Sequence, residues 1–259
     1  MEKNGSMHND LIDAMFKAGA HFGYQKSRRH PSVKQFIFGA KNRTEIIDLE
    51  QVQGLLGKAE AFVSSLGSAG KQIVFVGNKP EARAIVERAA AEAGVPFARE
   101  RWIGGTITNW PEIKKRIARM EDLAGRKERG ELSIYTKKEQ LLLSREVDKL
   151  RRFFAGLSTL KTLPAALFVI DPKKESTAVS EARKLRIPIV ALAGSDCDVS
   201  LVDYPIVAND TSVSSIAFFV ERMRDAYLEG KRNPTTPEVK SENKPESLAN
   251  AQVEGKPTL

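Results

Sequence analysis

The chain is poor in the residues that form disulfides, metal centres and membrane spans. Among its 259 residues it has one cysteine, Cys197, and three histidines, so an internal disulfide framework is excluded and no zinc-type spacing is present. The first ten residues are polar, and no apolar run approaches the roughly 18 residues that a membrane span needs. These absences predict a soluble, cytoplasmic protein that contacts no membrane.

Residues 17–43 contain no Asp or Glu. They carry seven positively charged side chains, and Phe22, Tyr24, Phe36 and Phe38 are interspersed among them. Such a run repels itself unless a polyanion neutralises it, and nucleic-acid phosphate is the usual polyanion. The run therefore predicts nucleic-acid binding. In the alternative, Phe36–Phe38 forms an ordinary strand and the cations only keep it soluble.

Charge is unevenly distributed along the chain, whose formal net charge is +8. Residues 17–44 contribute +7 and residues 111–152 contribute +5, whereas residues 171–229 contribute −3. A basic part and an acidic part within one chain predict that a single face lies against a polyanion.

Short apolar runs alternate with helical patterns over much of the chain. The sequence predicts strands over 72–76, 95–98, 165–170, 188–193 and 203–207, and helices over 49–66, 80–93, 175–185 and 212–228. This alternation predicts an α/β fold with a doubly wound parallel sheet. Ahead of it we expect a short helix capped by Asn9 or Asp10 and ended by Gly19, and a β-hairpin over 36–49.

The stretch from 111 to 160 interrupts the alternation. Its apolar residues recur at intervals of three and four on two successive helical segments, which predicts an inserted antiparallel helical hairpin, a coiled coil that protrudes from the domain. The alternative is that both segments dock on the sheet as ordinary helices. We expect residues 8–110 and 161–229 to form the α/β domain. Residues 230–259, which have four prolines and no aromatic residue, are predicted to be disordered.

Signals for catalysis are weak. Neither a dinucleotide-binding glycine pattern nor a phosphate-binding loop follows a predicted strand, and no nucleophile–base pair stands out. We therefore predict no enzyme activity, no cofactor and no small-molecule substrate. An enzyme on the same sheet and a protein–protein adaptor remain the alternatives. The acidic loops suggest one candidate cation site, although such side chains more often cap turns; its residues would be His21, Asp196, Asp198, Asp203 and Asp210.

The segment from Arg101 to Trp110 is distinctive because it places two glycines and two tryptophans in a loop ahead of a charged helix. Gly104 and Gly105 would admit a sugar–phosphate backbone, which Arg101 would neutralise. Alternatively, the two tryptophans only anchor the base of the helical insertion.

Several ordered motifs resemble one family. They are AHFGYQKSRRHPSV from Ala20, ERWIGGTITNWPEIKKRI from Glu100, FVIDPKKESTAVSEARKLRIPIVAL from Phe168 and CDVSLVDYPIVANDTSVSSI from Cys197. Together they resemble the bacterial small-subunit ribosomal protein S2 family over about residues 8–229. The sequence departs from the family pattern at Tyr24, where a second histidine is usual, and after Asp210, where an arginine is missing.

The resemblance implies a flavodoxin-like sheet and a non-enzymatic place in the small subunit, between head and body. It also implies contact with small-subunit rRNA and neighbouring ribosomal proteins, and docking of the mRNA-binding ribosomal protein S1. Combined with the basic run, it predicts a set of rRNA-binding residues: Lys26, Arg28, Arg29, His30, Lys34, Lys41, Arg43, Arg101, Gly104, Gly105, Thr106, Lys114, Lys115 and Arg116.

Overall fold

The computed structural model describes residues 3–234, with side chains from Asp10 onward. The amino-terminal part contains a helix, three strands and a second helix: α1 (Lys3–Lys17), β1 (Phe22–Gln25), β2 (Ile37–Lys41), β3 (Thr44–Ile47) and α2 (Leu49–Ser68). The three strands form an antiparallel sheet in the order β1-β3-β2. Strand β1 was not predicted from the sequence. Helix α1 starts well before the expected cap at Asn9 or Asp10, but it ends as predicted before Gly19, whose φ is +73°.

A parallel sheet of five strands follows. Its elements in chain order are β4 (Ile73–Val76), α3 (Pro80–Ala93), β5 (Phe97–Ala98), α4 (Trp110–Glu128), α5 (Lys137–Phe154), β6 (Ala166–Ile170), α6 (Ser176–Lys184), β7 (Ile189–Ala193), β8 (Tyr204–Val207) and α7 (Val213–Arg232). The strand order β5-β4-β6-β7-β8 reverses direction at β4, as in a doubly wound sheet, and is compatible with a flavodoxin-like fold.

Both faces of the parallel sheet are buried, which explains the continuous apolar runs of its strands. Phe75 and Phe168 point to one face and pack with residues of α2, α3 and α7. Val74 and Leu167 point to the other face and pack with residues of α4 and α6. The two ring centroids of Phe75 and Phe168 lie 5.1 Å apart in an edge-to-face arrangement at the centre of the first layer.

Helices α4 and α5 are joined by a short 3-10 turn. Near the sheet, Ile113 and Ile117 belong to the same buried cluster as Val74 and Leu167, so the first half of α4 packs on the sheet. Farther along α4, Leu123 is buried, whereas Ala124, which we expected on the apolar stripe, is half-buried.

The end of the described chain differs from the prediction at one point. Helix α7 continues to Arg232, so residues 230–232 are helical rather than disordered. The rest of the predicted disordered segment, residues 235–259, lies outside the described residues.

Helices α2 and α7 cross at glycines. A Cβ atom at Gly67 would lie 2.2 Å from the carbonyl oxygen of Tyr227, and one at Gly230 would lie 1.9 Å from that of Ser64. The neighbouring atoms are backbone and cannot rotate away. The close approach of the two helices therefore depends on the absence of side chains at both positions.

We expect Gly67→Ala to lower the free energy of unfolding by about 3 kcal/mol, because the new methyl group would force α2 and α7 apart. Gly57→Ala is the matched control in the same helix. Nothing lies within 4 Å of a Cβ at Gly57, and alanine favours the helix by up to about 1 kcal/mol over glycine. Urea unfolding of both variants tests this. Equal stability of the two would show that the helices do not depend on the close crossing.

Candidate nucleic-acid interface

The basic run from Lys17 to Arg43 supplies most of the antiparallel sheet. The predicted hairpin over 36–49 is confirmed, with β2 and β3 paired up to Lys41 and Thr44. Its loop consists of Asn42 and Arg43, whose φ angles are +50° and +67°. Two successive left-handed residues are typical of the tight turns whose twist matches a hairpin. The loop therefore presents the Arg43 side chain at the tip of the sheet.

Four cations of this sheet and its connections are exposed and form no ion pair among the described residues: Lys26, Lys34, Lys41 and Arg43. Phe38, between them on β2, is 81% exposed. We call these five side chains the basic surface. An exposed aromatic ring among unpaired cations is the combination expected of a surface that binds nucleic acid.

Arg28 is exposed but has partners within the protein. Its guanidinium lies 4.3 Å from the centre of the Tyr24 ring, and its Nη2 lies 3.5 Å from Oδ2 of Asp196. Lys173 donates to the same carboxylate oxygen at 2.8 Å. Asp196 thus offsets part of the positive charge at Arg28.

Arg29 and His30 make their polar contacts within the protein. Arg29 Nη1 donates to Oε1 of Glu45 at 2.8 Å, and the Glu45 side chain is 2% exposed. Nδ1 of His30 accepts a hydrogen bond from the backbone N–H of Ser32 and caps the 3-10 helix that begins at Pro31. Arg29 therefore neutralises a buried carboxylate, and removing it would leave that charge without compensation.

The amino-terminal segment is fixed to the carboxyl ends of β7 and β8. Ser195, after β7, accepts from Tyr24 N at 2.8 Å through its Oγ and from His30 N at 2.9 Å through its carbonyl. Asn209, after β8, donates through its backbone N–H to the carbonyl of Ala20 and through Nδ2 to that of Gly19. Burial, together with the nearby charge of Asp210, raises the pKa of Tyr24 to about 12. This half of the sheet edge is thus covered by the chain itself.

A buried ammonium lies under that cover. Lys79 Nζ is 2.7 Å from Oδ2 of Asp171 and 2.5 Å from Oδ2 of Asp210, and it also donates to the Asp210 carbonyl. Burial alone would lower the pKa of Lys79, but the charges of Asp210 and Asp171 and their hydrogen bonds raise it. The three residues follow β4, β6 and β8, so the ion triad joins three strand ends.

The five residues of the predicted cation site do not come together. Asp203 lies at the opposite end of the sheet, where Oδ2 accepts from the N–H of Ile189 at 2.9 Å. Asp198 caps a 3-10 helix through Ser200, and His21 stacks on Phe16 with ring centroids 4.3 Å apart. The sheet therefore separates Asp203 from Asp196, Asp198 and Asp210, which follow β7 and β8.

Within the described part of the chain, the one cluster with metal-ligand spacing is Asp171, Cys197 and Asp210. Lys79 already supplies a positive charge to both carboxylates of this cluster. Burial raises the pKa of the Cys197 thiol, which disfavours the thiolate form that a metal would bind. The arrangement favours an internal ion triad over a metal centre.

Glu181 of α6 organises the loop that carries the two tryptophans. Its carboxylate accepts from the backbone N–H groups of Gly105 at 2.6 Å and of Ile107 and Thr108 at 3.1 Å. It also accepts from Nε1 of Trp102 at 3.3 Å. Burial acts to raise the pKa of Glu181, but these hydrogen bonds outweigh it and the pKa is lowered. Sequence reasoning missed Glu181; the available signal was an acid on the apolar face of α6, beside Ala178 and Ala182.

The remaining predicted contact residues divide into exposed and internal ones. Arg101 and Gly104 are exposed, and so are Lys114, Lys115 and Arg116 on the first turns of α4. Lys115 pairs with Glu112 at 2.7 Å. The N–H of Gly105 points to Glu181, and the buried hydroxyl of Thr106 donates to the Ile103 carbonyl at 2.6 Å. Gly105 and Thr106 thus already use their polar groups within the loop.

The fold and this site define an α/β protein with a parallel sheet, in which the chain's own segment covers part of the sheet edge where such folds bind ligands. A family model described as Ribosomal protein S2 matches residues 15–230. The chain is 42% identical over 225 residues to the small ribosomal subunit protein uS2 of Endomicrobium trichonymphae, covering 87% of this chain and 92% of that protein. It is 38% identical to the uS2c protein of Cyanophora paradoxa, covering 87% and 97% respectively.

The chain belongs to the ribosomal protein S2 family. It is accordingly a structural protein of the small ribosomal subunit and not an enzyme, as the sequence motifs predicted. In the described residues, no helix combines the length and the apolar character that crossing a bilayer requires.

We expect Glu181→Gln to destabilise the fold by about 3 kcal/mol at neutral pH. The amide oxygen accepts hydrogen bonds less strongly than a carboxylate, and the amide NH₂ group would face loop N–H groups that are themselves donors. The lowered pKa of Glu181 means that its stabilisation is complete above the unfolded value near 4.5 and is lost as the pH falls through the folded value. Urea unfolding at pH 7 and at pH 3 should therefore show a smaller difference between the two proteins at pH 3. An equal difference at both pH values would contradict this role of the carboxylate.

Proposed function

We propose that this protein binds small-subunit rRNA through the basic surface, in the cytoplasm, at a position between the head and the body of the subunit. The observation that carries the proposal is that Lys26, Lys34, Lys41 and Arg43 are exposed and unpaired among the described residues, on the same segment of chain as the exposed Phe38. Lysine and arginine bind phosphate oxygens and displace condensed counterions, which supplies affinity without reading sequence.

The hairpin loop supports the proposal independently. Arg43 has a φ of +67°, a conformation that glycine adopts with less strain. A large charged residue at this position has a conformational cost, and strained residues of this kind cluster at functional sites. Contact of the Arg43 side chain with phosphate, and stacking of Phe38 on a base or sugar beside it, would offset this conformational cost.

The other predicted cations have secondary roles in this proposal. Arg28 can reach RNA at the margin of the basic surface, although Asp196 offsets part of its charge. Arg29 and His30 act mainly by holding the segment in shape. Arg101, Lys114 and Arg116 are exposed and would contact a second rRNA segment or a neighbouring ribosomal protein.

We expect the double variant Lys41→Gln, Arg43→Gln to weaken binding to small-subunit rRNA. The slope of log K against log salt should fall by about 1.8, because each duplex phosphate that a cation no longer neutralises accounts for about 0.9. The measurement is filter binding to the rRNA over a range of salt concentrations. The variant should unfold like the parent protein because both side chains are exposed.

Two further variants make the test specific. Lys58→Gln removes an exposed charge on α2 and should leave the salt slope unchanged. Arg29→Gln should mainly lower stability, since it leaves the buried Glu45 carboxylate without a positively charged partner. If all three changes reduced the slope equally, binding would be a diffuse effect of net charge and the proposed surface would be wrong.

A second part of the proposal concerns α4 and α5, which we infer form an antiparallel helical hairpin whose far end protrudes. The helices are bridged by Arg119 and Glu146, whose Nε and Oε1 lie 2.6 Å apart. Near the far end, Ile134, Leu141 and Leu142 are 80%, 51% and 55% exposed. Exposed apolar residues on a projecting element favour a protein partner. We propose a neighbouring ribosomal protein, and the family resemblance suggests ribosomal protein S1.

We expect the double variant Ile134→Asp, Leu142→Asp to release that partner from small subunits without lowering protein stability, because both side chains are exposed. Sucrose-gradient sedimentation with immunodetection of ribosomal protein S1 measures this. Leu163→Asp, at a site that is 47% exposed outside the hairpin, is the control. Retention of S1 in both variants would remove the hairpin end from the proposal.

A further inference from the structure

The carboxyl edge of the parallel sheet has an open crevice beside the part that the amino-terminal segment covers. The sheet order reverses at β4, so the chain segments that follow β4 and β6 diverge toward opposite sides of the sheet. In doubly wound folds, ligands bind at this switch point. Here the divergence leaves a cavity of about 680 Å³, lined by Asn78 and Pro80 after β4 and by Lys174 and Glu175 after β6. We call it the switch-point crevice.

The covering segment leaves this crevice free. Its hydrogen bonds go to Ser195 after β7 and to Asn209 after β8, whereas the crevice is lined by residues that follow β4 and β6. None of the basic surface residues lines the crevice. The two features therefore divide the sheet edge between them.

The walls of the crevice are strongly basic. Arg83, Arg101, Arg152 and Lys174 line it together with two carboxylates, Glu100 and Glu175. Two of the four cations share one carboxylate, since Arg83 and Arg152 approach Oε2 of Glu100 at 3.5 and 3.4 Å.

Arg101 and Lys174 have no ion-pair partner within the part of the chain that the structure describes. An anion would complete the charge balance of these walls.

Neutral donors face the same space. Helix α6 begins at Ser176, and Glu175, the residue before it, gives its first turn no side-chain hydrogen bond. The hydroxyl-bearing residues Ser176 and Thr177 are exposed and line the crevice. The N–H groups and partial positive charge of a helix start, flanked by hydroxyls and guanidinium groups, suit the oxygens of a phosphate. The aromatic residues Phe153 and Trp102 also line the crevice.

We propose that the switch-point crevice binds a nucleotide phosphate, held by Arg101 and Lys174 against the start of α6. The phosphate comes either from a free nucleotide or from a nucleotide of an RNA strand, since both present the same group. The volume of the crevice suits one nucleotide, because small-ligand sites occupy roughly 300–1,000 Å³.

Glu175 sets how strongly the crevice attracts an anion. It is 3% exposed, and one carboxylate oxygen accepts from the N–H of Asn78 at 3.0 Å. Burial raises its pKa to about 7, against the hydrogen bond from Asn78, which lowers the pKa, and with smaller opposing effects of Asp171 and Lys174.

The other charged groups facing the crevice are Arg83, Arg101, Arg152 and Glu100. Loss of the Glu175 charge as the pH falls through 7 makes the crevice more positive. An RNA strand, whose phosphodiesters keep the same charge over this range, should therefore bind more tightly at pH 6 than at pH 8.

The test is calorimetric titration of the full chain with three probes: inorganic phosphate, adenosine monophosphate and a five-nucleotide RNA without terminal phosphates. The RNA is measured in the Lys41→Gln, Arg43→Gln background, so that the contribution of the basic surface is reduced. We expect Arg101→Gln and Lys174→Gln each to weaken binding about tenfold, equivalent to ~1.4 kcal/mol. Lys58→Gln should have no effect.

Glu175→Gln provides a test that does not depend on loss of binding. Glutamine still accepts from Asn78 but carries no charge, so this variant should bind the RNA probe more tightly than the parent at pH 8. It should also lose the difference between pH 6 and pH 8.

Binding of adenosine monophosphate identifies a free nucleotide as the source, and binding of the RNA alone identifies a strand. The proposal is overturned if no probe binds, or if Arg101→Gln behaves like Lys58→Gln. It is also overturned if Lys41→Gln with Arg43→Gln abolishes binding of adenosine monophosphate, because the basic surface would then be the site. The rRNA salt slope tests the basic surface separately, so either proposal can fail alone.

Discussion

The buried ammonium of Lys79 is the interaction on which the carboxyl edge of the sheet depends. It lies between Asp171 and Asp210, which follow strands that are not adjacent to each other. Without it, the two buried carboxylates would repel each other in the protein interior, which screens charge poorly. Removing one partner of a buried ion pair lowers stability by about 3–5 kcal/mol. With it, the ends of β4, β6 and β8 are held together, and the loops above them can receive the amino-terminal segment through Ser195 and Asn209.

The positively charged residues fall into two groups according to what they contact. Lys79 and Arg29 are paired with buried carboxylates and hold the fold together. Lys41 and Arg43 stand on a tight hairpin with no partner among the described residues. In the sequence, the paired cations and the unpaired ones cannot be told apart, because both are simply lysine or arginine. Only the first kind is satisfied within the protein, so the second kind is the part of the run that is left for a polyanion.

The periodic elements were predictable because their signals are local. The run Ile73–Val76 is apolar throughout since both sheet faces are buried, and helix α3 lies between Pro80 and Gly94 as its end residues indicate. Strand β1 was missed because four residues, FGYQ, carry no alternating pattern and pair with β3 only after the chain has turned. Glu181 was missed for the same reason: its donors lie more than seventy positions away along the chain.

The sequence by itself determined the α/β class, the order of strands and helices from α2 onward, the basic character of the amino-terminal run and the family. Each of these depends on short-range patterns or ordered motifs. Only the tertiary structure decided which cations are free, which acids meet and where the sheet edge stays open. Asp203 and Asp210 are seven residues apart yet lie at opposite ends of β8, whereas Lys79 and Asp210, 131 positions apart, are in contact. Contacts of this kind are set by strand order and chain crossing, which no local pattern encodes.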